Sequence, residues 1–195
     1  MLDQIRGSIV AIVTPMQPDG SLDMGGLNTL LEWHIASGTN AVVIVGTTGE
    51  SATLSTGEHC DLVAHCVNVV NGRIPVIAGT GSNNTAEALY FTESAKKNGA
   101  DAALLVTPYY NRPSQEGLYQ HFKLIAEGVD IPQILYNVPG RTACDLQLAT
   151  VKRLAEIDSI VAIKDASGDL ARGLELIEHC GEQLSIYSGE DALSL

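Results

Sequence analysis

The chain has 195 residues, of which 45% are hydrophobic, and it carries a net charge of −12 with a mean hydropathy of +0.13. This composition predicts a globular α/β protein, and an acidic chain without a basic run is not expected to bind nucleic acid or an anionic membrane surface. No apolar run approaches the roughly 18 residues of a membrane span. The four cysteines and five histidines lack the spacing of a metal site. We therefore expect buried, reduced thiols and a cytoplasmic protein.

Seven apolar, β-branched runs recur along the chain, with starts roughly 24–34 residues apart. They cover 8–13, 41–46, 74–79, 102–107, 132–137, 160–164 and 184–188. Each gap contains one amphipathic helical stretch. Strands that alternate with helices in this way predict βαβ units and a parallel sheet.

Residues at the predicted helix ends agree with this alternation. Ser55 and Glu58 have the spacing of a capping box, as do Asn84 and Glu87. A glycine accepts the left-handed conformation of a C-terminal cap. Three predicted helices are each followed by a glycine: 25–37 by Gly38, 58–71 by Gly72 and 85–98 by Gly99.

The polar residues favour a barrel over a doubly wound sheet. No GxGxxG turn follows the first strand, and polar residues instead follow several different strands, as in a (β/α)8 TIM barrel. A complete barrel typically needs about 250 residues. We therefore predict an incomplete barrel that forms a single catalytic domain over 1–195, truncated at its C-terminal end within a seventh helix at Leu195. Because an open sheet exposes its edges, we expect this fragment to fold poorly.

The strand predicted over 160–164 ends in a lysine. Side chains alternate along a strand, so Lys164 shares a face with Ile160 and Ala162. Burial on that face disfavours the charged amine and lowers its pKa, which is what a Schiff-base lysine needs. The alternative is a lysine at a strand end whose amine reaches solvent.

The turn Gly46-Thr47-Thr48-Gly49-Glu50 follows the second strand. Two hydroxyls stand between two glycines whose backbone N–H groups a ligand can approach closely, which makes a suitable receptor for a carboxylate. The alternative is an ordinary turn ahead of the next helix.

Tyrosines and an arginine follow the fourth and fifth strands. Tyr109 and Tyr110 lie in a loop with two prolines, where adjacent side chains point in opposite directions, one towards a site and the other towards an interface. In a barrel Tyr136 points its hydroxyl inward near Lys164, where a phenol can relay protons. Arg141, on a Pro-Gly turn, can bind a carboxylate with both arms of its guanidinium. Aromatic packing and a surface arginine are the alternatives.

Four segments, taken together, resemble a known family. They are GTTGE at 46–50, TPYYNRPSQEGLY at 107–119, YNVPGRT at 136–142 and AIKDASG at 162–168. In this order and spacing they resemble the dihydrodipicolinate synthases, over essentially the whole chain and about the first two-thirds of such an enzyme. The wider superfamily of pyruvate-dependent class I aldolases, including N-acetylneuraminate lyase, shares the GxTGE turn, the tyrosine and the lysine. The Gly140-Arg141-Thr142 segment and the double tyrosine favour the synthases.

The resemblance implies a lyase that condenses pyruvate with L-aspartate 4-semialdehyde through an imine on Lys164. The product would be 4-hydroxy-tetrahydrodipicolinate, in lysine and diaminopimelate biosynthesis, with no metal or organic cofactor. Thr47 and Thr48 would hold the pyruvate carboxylate. Tyr136 would be the acid/base, linked through Thr47 to a Tyr110 from a neighbouring subunit of a homotetramer.

The resemblance also implies roles for residues outside the imine chemistry. Arg141 would receive the carboxylate of aspartate semialdehyde. Gly189 and Glu190 would lie near that second substrate, although many relatives carry aspartate where Glu190 stands. Lysine-inhibited relatives bind lysine at a subunit interface, and the matching residues are Ser51, Ala52, His59, Asn83, Glu87 and Tyr109. Where some of those relatives have a histidine, this chain has Thr56, which puts the strength of inhibition in question.

Two other functions fit the same motifs. One is a sister aldolase, similar to N-acetylneuraminate lyase or a 2-keto-3-deoxy sugar acid aldolase, that uses the same imine on a sugar acid. The other is a non-catalytic binding module that keeps the pyruvate pocket. Arg141 distinguishes the first from a synthase, and trapping of pyruvate on Lys164 distinguishes the second from both enzymes.

Overall fold

The computed structural model describes residues 5–193, which form two compact units. One unit contains 5–80 with Glu93–Ala103, and the other contains Gly81–Thr92 with 104–193. A seventh helix was predicted at the end of the chain, where Leu195 lies outside the described residues. Residues Asp191–Leu193 form a single 3-10 turn.

Strands and helices alternate from the first strand to the last. The first elements are β1 (Ile9–Ala11), α1 (Met24–Ala36), β2 (Ala41–Ile44), a 3-10 turn (Ser51–Thr53), α2 (Thr56–Val70), β3 (Val76–Gly79), α3 (Thr85–Lys97) and β4 (Ala102–Val106). They are followed by α4 (Gln115–Gly128), β5 (Gln133–Asn137), α5 (Pro139–Thr142), α6 (Leu148–Leu154), β6 (Ile160–Asp165), α7 (Leu170–Cys180) and β7 (Ser185–Ser188). All seven predicted strands are therefore present, most of them shorter than predicted.

The strands pair in parallel, as the βαβ pattern predicts. In the first unit β1 pairs with β2 and β2 with β3, and in the second β5 pairs with β6 and β6 with β7. The strand order of the sheet is the sequence order, β1 to β7. Sequential parallel strands joined by helices are the arrangement of a (β/α)8 barrel. In such barrels the carboxyl ends of neighbouring strands share one edge of the sheet, and functional residues generally lie at that edge.

Each unit has its own apolar core between strands and helices. In the first, α1 and α2 place Leu31 and Leu62 against Ile44 of β2. In the second, Phe122 of α4 packs in a cluster with Leu135 of β5 and further residues of β6, α6 and α7. Both strand faces are covered, which is why β2, β3 and β5 are buried at every position.

The helix ends confirm most of the predicted caps. The Ser55 hydroxyl accepts from Glu58 N–H while the Glu58 carboxylate accepts from Ser55 N–H, a complete capping box. Gly38, Gly72 and Gly99 have φ values of +79°, +71° and +85°, which confirms their left-handed conformation.

The second predicted capping box, Asn84 with Glu87, does not form in that way. The carboxylate of Glu87 accepts a hydrogen bond from the Ser82 hydroxyl at 2.5 Å, and the backbone N–H of Asn84 also donates to Ser82. Asn84 instead accepts from the N–H of Ala86 through its side chain. The prediction was wrong because a nearer hydroxyl, Ser82, satisfies both groups.

All four cysteines are free thiols, with Cys66, Cys144 and Cys180 buried and Cys60 half-buried. Burial raises the pKa of the Cys66 thiol to about 12, so it is a protonated core residue. Within residues 5–193, no helix combines the length and the apolar character needed to cross a bilayer.

A buried histidine on α4 makes the stability of the second unit dependent on pH. His121 is 5% exposed, its Nδ1 shares a hydrogen bond with the Thr85 hydroxyl at 2.9 Å, and its Nε2 has no partner among residues 5–193. Desolvation lowers its pKa from 6.5 to about 4. His121 is therefore neutral in the folded protein across the physiological range.

This pKa predicts a loss of stability in weak acid. Between pH 6.5 and about 4 the unfolded state binds a proton that the folded state does not, so the free energy of unfolding falls as pH is lowered. The full effect is up to about 3 kcal/mol. His121→Asn, which does not titrate in this window, is expected to flatten the dependence. Urea denaturation at several pH values measures it, with exposed His179→Asn as the control; an unchanged slope in His121→Asn would contradict the assignment.

Candidate active site

Lys164 lies near the carboxyl end of β6 with its side chain half-buried. Burial lowers the pKa of the amine, while the carboxylates of Asp191 and Glu190 oppose this by favouring the charged form. Burial has the larger effect, so the amine is easier to deprotonate than that of a free lysine.

Tyr136 lies directly beside Lys164 on the neighbouring strand. The two residues are paired in the register of β5 and β6, and the amine nitrogen lies 4.6 Å from the centroid of the tyrosine ring. Tyr136 is 7% exposed. The half-buried amine thus lies over the ring of a buried tyrosine, and a proton relay through the tyrosine hydroxyl stays a prediction.

Gly189 packs against the stem of the lysine. A Cβ atom at this position would lie 2.9 Å from Cε of Lys164 and 2.7 Å from Cβ of Ala166, so a larger residue here would require the lysine stem or Ala166 to shift. The backbone N–H of Gly189 also donates to the Asp165 carbonyl at 2.7 Å. The segment that carries Gly189 and Glu190 is therefore held close to the amine.

The predicted anion-binding arginine stands on a rigid turn. Arg141 belongs to the short helix α5, is exposed, and forms no side-chain hydrogen bond or ion pair with any of residues 5–193. The adjacent Thr142 is buried, and its hydroxyl lies 3.2 Å from the Val138 carbonyl oxygen and 2.9 Å from that of Cys144, either of which can accept its one proton. The guanidinium of Arg141 is available to a ligand on a turn that Thr142 holds in place.

The double tyrosine lies in a strained loop. Tyr110 has a φ of +72° and Arg112 a φ of +50°, in the left-handed region that side chains avoid. Tyr110 is 90% exposed and Tyr109 36%. Tyr110 makes no hydrogen bond within the described part of the chain, so its link to Tyr136 remains a prediction.

In the first unit, the GTTGE turn follows β2 and exposes both threonines. Thr47 and Thr48 are exposed, whereas Gly46 and Gly49 on either side are buried. The hydroxyl of Thr14 donates to the Gly49 carbonyl at 2.7 Å, which anchors the turn from β1's end. Neither threonine hydroxyl is used in a hydrogen bond within residues 5–193, so both are available to a ligand.

The residue that precedes this turn, Val45, has a strained backbone conformation. Val45 has a φ of +46°, which for a β-branched residue is a costly conformation of the kind found at functional sites. Its carbonyl would lie only 2.5 Å from a Cβ atom on Gly79 of β3. The Gly79 carbonyl in turn contacts Nε2 of His59 at 2.9 Å. The end of β2 thus lies so close to β3 at Gly79 that a Cβ atom there would force the backbone of β2 to shift.

The residues of the predicted lysine site fall into two sets. In the second unit, the side chain of Asn111 donates to the Asn83 carbonyl at 2.8 Å while its N–H donates to the Tyr109 carbonyl, and Glu87 binds Ser82. In the first unit, Ser51 and Ala52 lie in the 3-10 turn, and His59 is 5% exposed. The contact with Gly79 gives His59 a structural role whether or not lysine binds.

Sequence reasoning missed a group of polar residues directly behind Lys164. Asp165, Asn137, Asp145 and Arg172 form a connected network at the ends of β5 and β6. The available signal was the position of Asp165 and Asn137 next to the predicted lysine and tyrosine. Among residues 5–193 there is no cluster of three or more side chains that could hold a metal ion.

Comparison with known proteins agrees with this arrangement. The model of the dihydrodipicolinate synthetase family matches residues 4–195. The chain belongs to this family. It is 59% identical over 191 residues to the 4-hydroxy-tetrahydrodipicolinate synthase of Alcanivorax borkumensis, covering 98% of this chain and 65% of that protein.

Solved structures of dihydrodipicolinate synthases share the fold. The chloride-inhibited enzyme of Acinetobacter baumannii, complexed with pyruvate, superposes with a TM-score of 0.95 at 60% identity over 96% of this chain and 64% of that one. The enzyme of Cyanidioschyzon merolae with lysine bound gives a TM-score of 0.94 at 40% identity over 98% of this chain and 65% of that one. These likenesses confirm the α/β fold class of an incomplete TIM barrel. The chain spans 64–65% of the length of these family members.

The contact between β2 and β3 predicts a strict requirement for glycine at position 79. Gly79→Ala places a Cβ atom 2.5 Å from the Val45 carbonyl, and this overpacking is expected to lower the free energy of unfolding by about 1–3 kcal/mol. Urea denaturation measures the change. The control is Gly57→Ala in α2. A Cβ atom added at position 57 would have no neighbouring atom within 4 Å, so this substitution is expected to be neutral or stabilising. Equal effects of the two substitutions would show that the close approach is not a constraint.

Proposed function

We propose that the protein is a 4-hydroxy-tetrahydrodipicolinate synthase that condenses pyruvate with L-aspartate 4-semialdehyde, in lysine and diaminopimelate biosynthesis. The observation that carries this proposal is the desolvated amine of Lys164 beside the ring of Tyr136. A neutral amine is the nucleophile that attacks a ketone, and a neighbouring phenol can move the protons that imine formation requires. Family membership supports the choice of reaction.

The chemistry divides between these two residues. The Lys164 amine attacks the ketone carbon of pyruvate, and the carbinolamine loses water with a proton supplied by Tyr136. The resulting imine draws electrons, so a methyl proton leaves and an enamine forms, which attacks the aldehyde carbon of the second substrate. The amino group of that substrate then displaces the lysine and closes the ring, which regenerates the free amine. Every step uses protein side chains and substrate atoms, and no cofactor is invoked.

The turn after β2 is proposed to hold the pyruvate carboxylate. The unused hydroxyls of Thr47 and Thr48, together with backbone N–H groups flanked by two buried glycines, form an anion receptor of the kind that short glycine-rich turns provide. The anchoring of Gly49 by Thr14 supports this role, because a preorganised receptor loses less conformational entropy when it binds. Thr47 is also proposed to pass protons between Tyr136 and Tyr110.

Arg141 is proposed to bind the carboxylate of aspartate semialdehyde, with Gly189 and Glu190 beside it. Arg141 is exposed and unpaired within residues 5–193, and its turn is locked by Thr142. The packing of Gly189 onto the stem of Lys164 supports a place for this segment beside the second substrate. A sugar-acid aldolase would not need a cation in this place, and Arg141 therefore distinguishes the two reactions.

The proposed assembly is a cytoplasmic homotetramer inhibited by lysine. Tyr110 is 90% exposed on a strained loop, as expected of a side chain donated to the site of a neighbouring subunit. The six residues predicted to bind lysine are proposed as its site, and the lysine-bound structure of the Cyanidioschyzon merolae relative supports that ligand. Four free thiols support a reducing compartment. We further propose that the whole chain belongs to one catalytic domain.

Trapping of the imine tests the proposed function. Incubation with pyruvate and sodium borohydride is expected to add one pyruvate-derived group per chain, because reduction makes the imine permanent. Intact mass detects the adduct and peptide mapping locates it on Lys164. Lys164→Ala is expected to give none, whereas Lys152→Ala, on the exposed face of α6, is expected to react normally. An adduct on another lysine, or none in the folded protein, would refute the proposal.

Arg141 sets the choice between synthase and sugar-acid aldolase. A charge-assisted hydrogen bond to a carboxylate contributes about 1.5–3 kcal/mol, so Arg141→Ala is expected to raise the KM for aspartate semialdehyde roughly 10- to 100-fold. Imine formation with pyruvate should be nearly unchanged. Steady-state kinetics with both substrates measures the split, and Arg153→Ala, an exposed arginine paired with Glu116, is the control. An unchanged KM would favour the sister aldolase.

A further inference from the structure

The carboxylate next to the reactive lysine is buried and fully hydrogen-bonded. Asp165 follows Lys164 on β6, and its side chain is 9% exposed. It accepts from the N–H and hydroxyl of Ser167 at 3.0 and 2.5 Å, from the amide of Asn137 at 3.0 Å and from Nε of Arg172 at 2.7 Å. Although burial alone would raise its pKa, these hydrogen bonds lower it, so Asp165 is ionised.

Asn137 connects this carboxylate to the neighbouring strand. It is completely buried, and its side-chain amide donates to Asp145 at 2.9 Å as well as to Asp165, while its side-chain carbonyl accepts from Leu146 N–H at 2.9 Å. Its backbone carbonyl accepts from Ala166 N–H at 2.8 Å. The side-chain amide and both carbonyl oxygens of Asn137 thus join β5, β6 and the loop after α5.

Arg172 closes the network from α7. Its guanidinium donates to Asp165, lies 3.5 Å from the carboxylate of Asp145 and donates to the backbone carbonyl of Leu146. The arginine side chain is only 14% exposed. The N-terminal cap of α7, where Asp169 accepts from the N–H groups of Ala171 and Arg172, fixes the origin of the side chain. A single cation thus joins the helix, the strand end and the loop.

The network occupies the register step next to the reactive pair. Tyr136 pairs with Lys164 across β5 and β6, and Asn137 pairs with Asp165 at the following position. Side chains alternate along a strand, so the network lies on the face opposite the amine and the phenol. Its hydrogen bonds hold the two strand ends in register from behind, which sets how the amine meets the tyrosine ring.

The charges around the amine come from outside this network. Within the second unit, the charged groups that act on Lys164 are Glu190 and Asp191, which follow β7. The titratable side chains paired with Lys164 in the strand register are Tyr136 on β5 and Tyr187 on β7. Asp165 is closer in sequence than either carboxylate, yet its charge is directed into the guanidinium of Arg172. Without that cation, a buried carboxylate one residue away would favour the protonated amine.

We propose that Arg172 is a positioning residue for Lys164: it holds the ends of β5 and β6 in register through Asp165 and Asn137, and it neutralises the carboxylate directly behind the amine. The inference rests on the proposed function only for what the amine then does with a substrate. The state of the amine itself can be measured without any substrate.

Competitive labelling of the lysine amines tests this role. The folded protein is treated with a trace of acetic anhydride at one pH, and peptide mass spectrometry gives the rate at Lys164 relative to exposed Lys152. Arg172→Gln leaves Asp165 uncompensated and is expected to slow labelling of Lys164 by about 5- to 10-fold, since one pKa unit changes the free-amine fraction roughly tenfold. Asp165→Asn removes the anion and leaves the guanidinium uncompensated, so it is expected to speed up labelling of Lys164.

The opposite signs separate positioning by charge from a purely structural role. If the network only stabilised the fold, both single substitutions would loosen the same strand ends and change the labelling in the same direction. The double variant Asp165→Asn/Arg172→Gln is expected to label within about twofold of the wild type, and Arg172→Lys, which keeps the charge, is expected to label faster than Arg172→Gln, since restoring one charge recovers part of a tenfold shift. Arg153→Gln on α6 is the matched arginine control and should leave Lys164 unchanged.

Each result decides the inference. Slower labelling in both single variants, or no change in Arg172→Gln despite a lower Tm, would overturn it. If Arg172→Gln does not fold, Asp165→Asn is compared with the double variant: faster labelling in Asp165→Asn supports the inference, and equal rates overturn it. Failure of the proposed function would give a different result. The wild type would then form no pyruvate adduct, while the variants would still differ in the labelling rate of Lys164 in the expected order.

Discussion

The structure around Lys164 is organised by the loss of hydration of a lysine amine near the end of β6. Lys164 loses hydration on β6, and this desolvation lowers its pKa against the pull of two carboxylates after β7. A desolvated amine needs its neighbours arranged closely, because any uncompensated anion nearby would restore the charged form. The ring of Tyr136 on one side, the bare backbone of Gly189 at the stem and a neutralised Asp165 behind meet this condition.

The need to compensate the charges near Lys164 explains the polar contacts around it in the second unit. Burying Asp165 requires partners for a carboxylate, and Ser167, Asn137 and Arg172 supply them. Asp169 caps the start of α7, the helix from which Arg172 donates to Asp165. Strand, loop and helix are therefore joined by one polar network on the strand face opposite the amine of Lys164 and the ring of Tyr136.

The first unit uses backbone strain for a similar purpose. Val45 is held in a left-handed conformation while the bare backbone of Gly79 lets the end of β2 approach β3 closely. The interior that enforces this strain is the packed core of α1, α2 and β2. As a result Thr47 and Thr48 stand exposed between two buried glycines, with Thr14 anchoring the turn.

The sequence by itself determined the order of strands and helices, the parallel pairing, most of the caps and the positions of Lys164, Tyr136 and the GTTGE turn. These features are local or periodic: a buried strand is a short apolar run, a cap is a glycine or a serine at a fixed offset, and the four motifs carry the family resemblance. Only the tertiary structure decided the contacts that stabilise the site. The Asn137–Asp165–Arg172 network, the packing of Gly189 on Lys164 and the choice of Ser82 as the partner of Glu87 depend on distances between side chains from different turns and strands. Those distances arise when the chain packs, and several residues of the same type could have served equally well in the sequence.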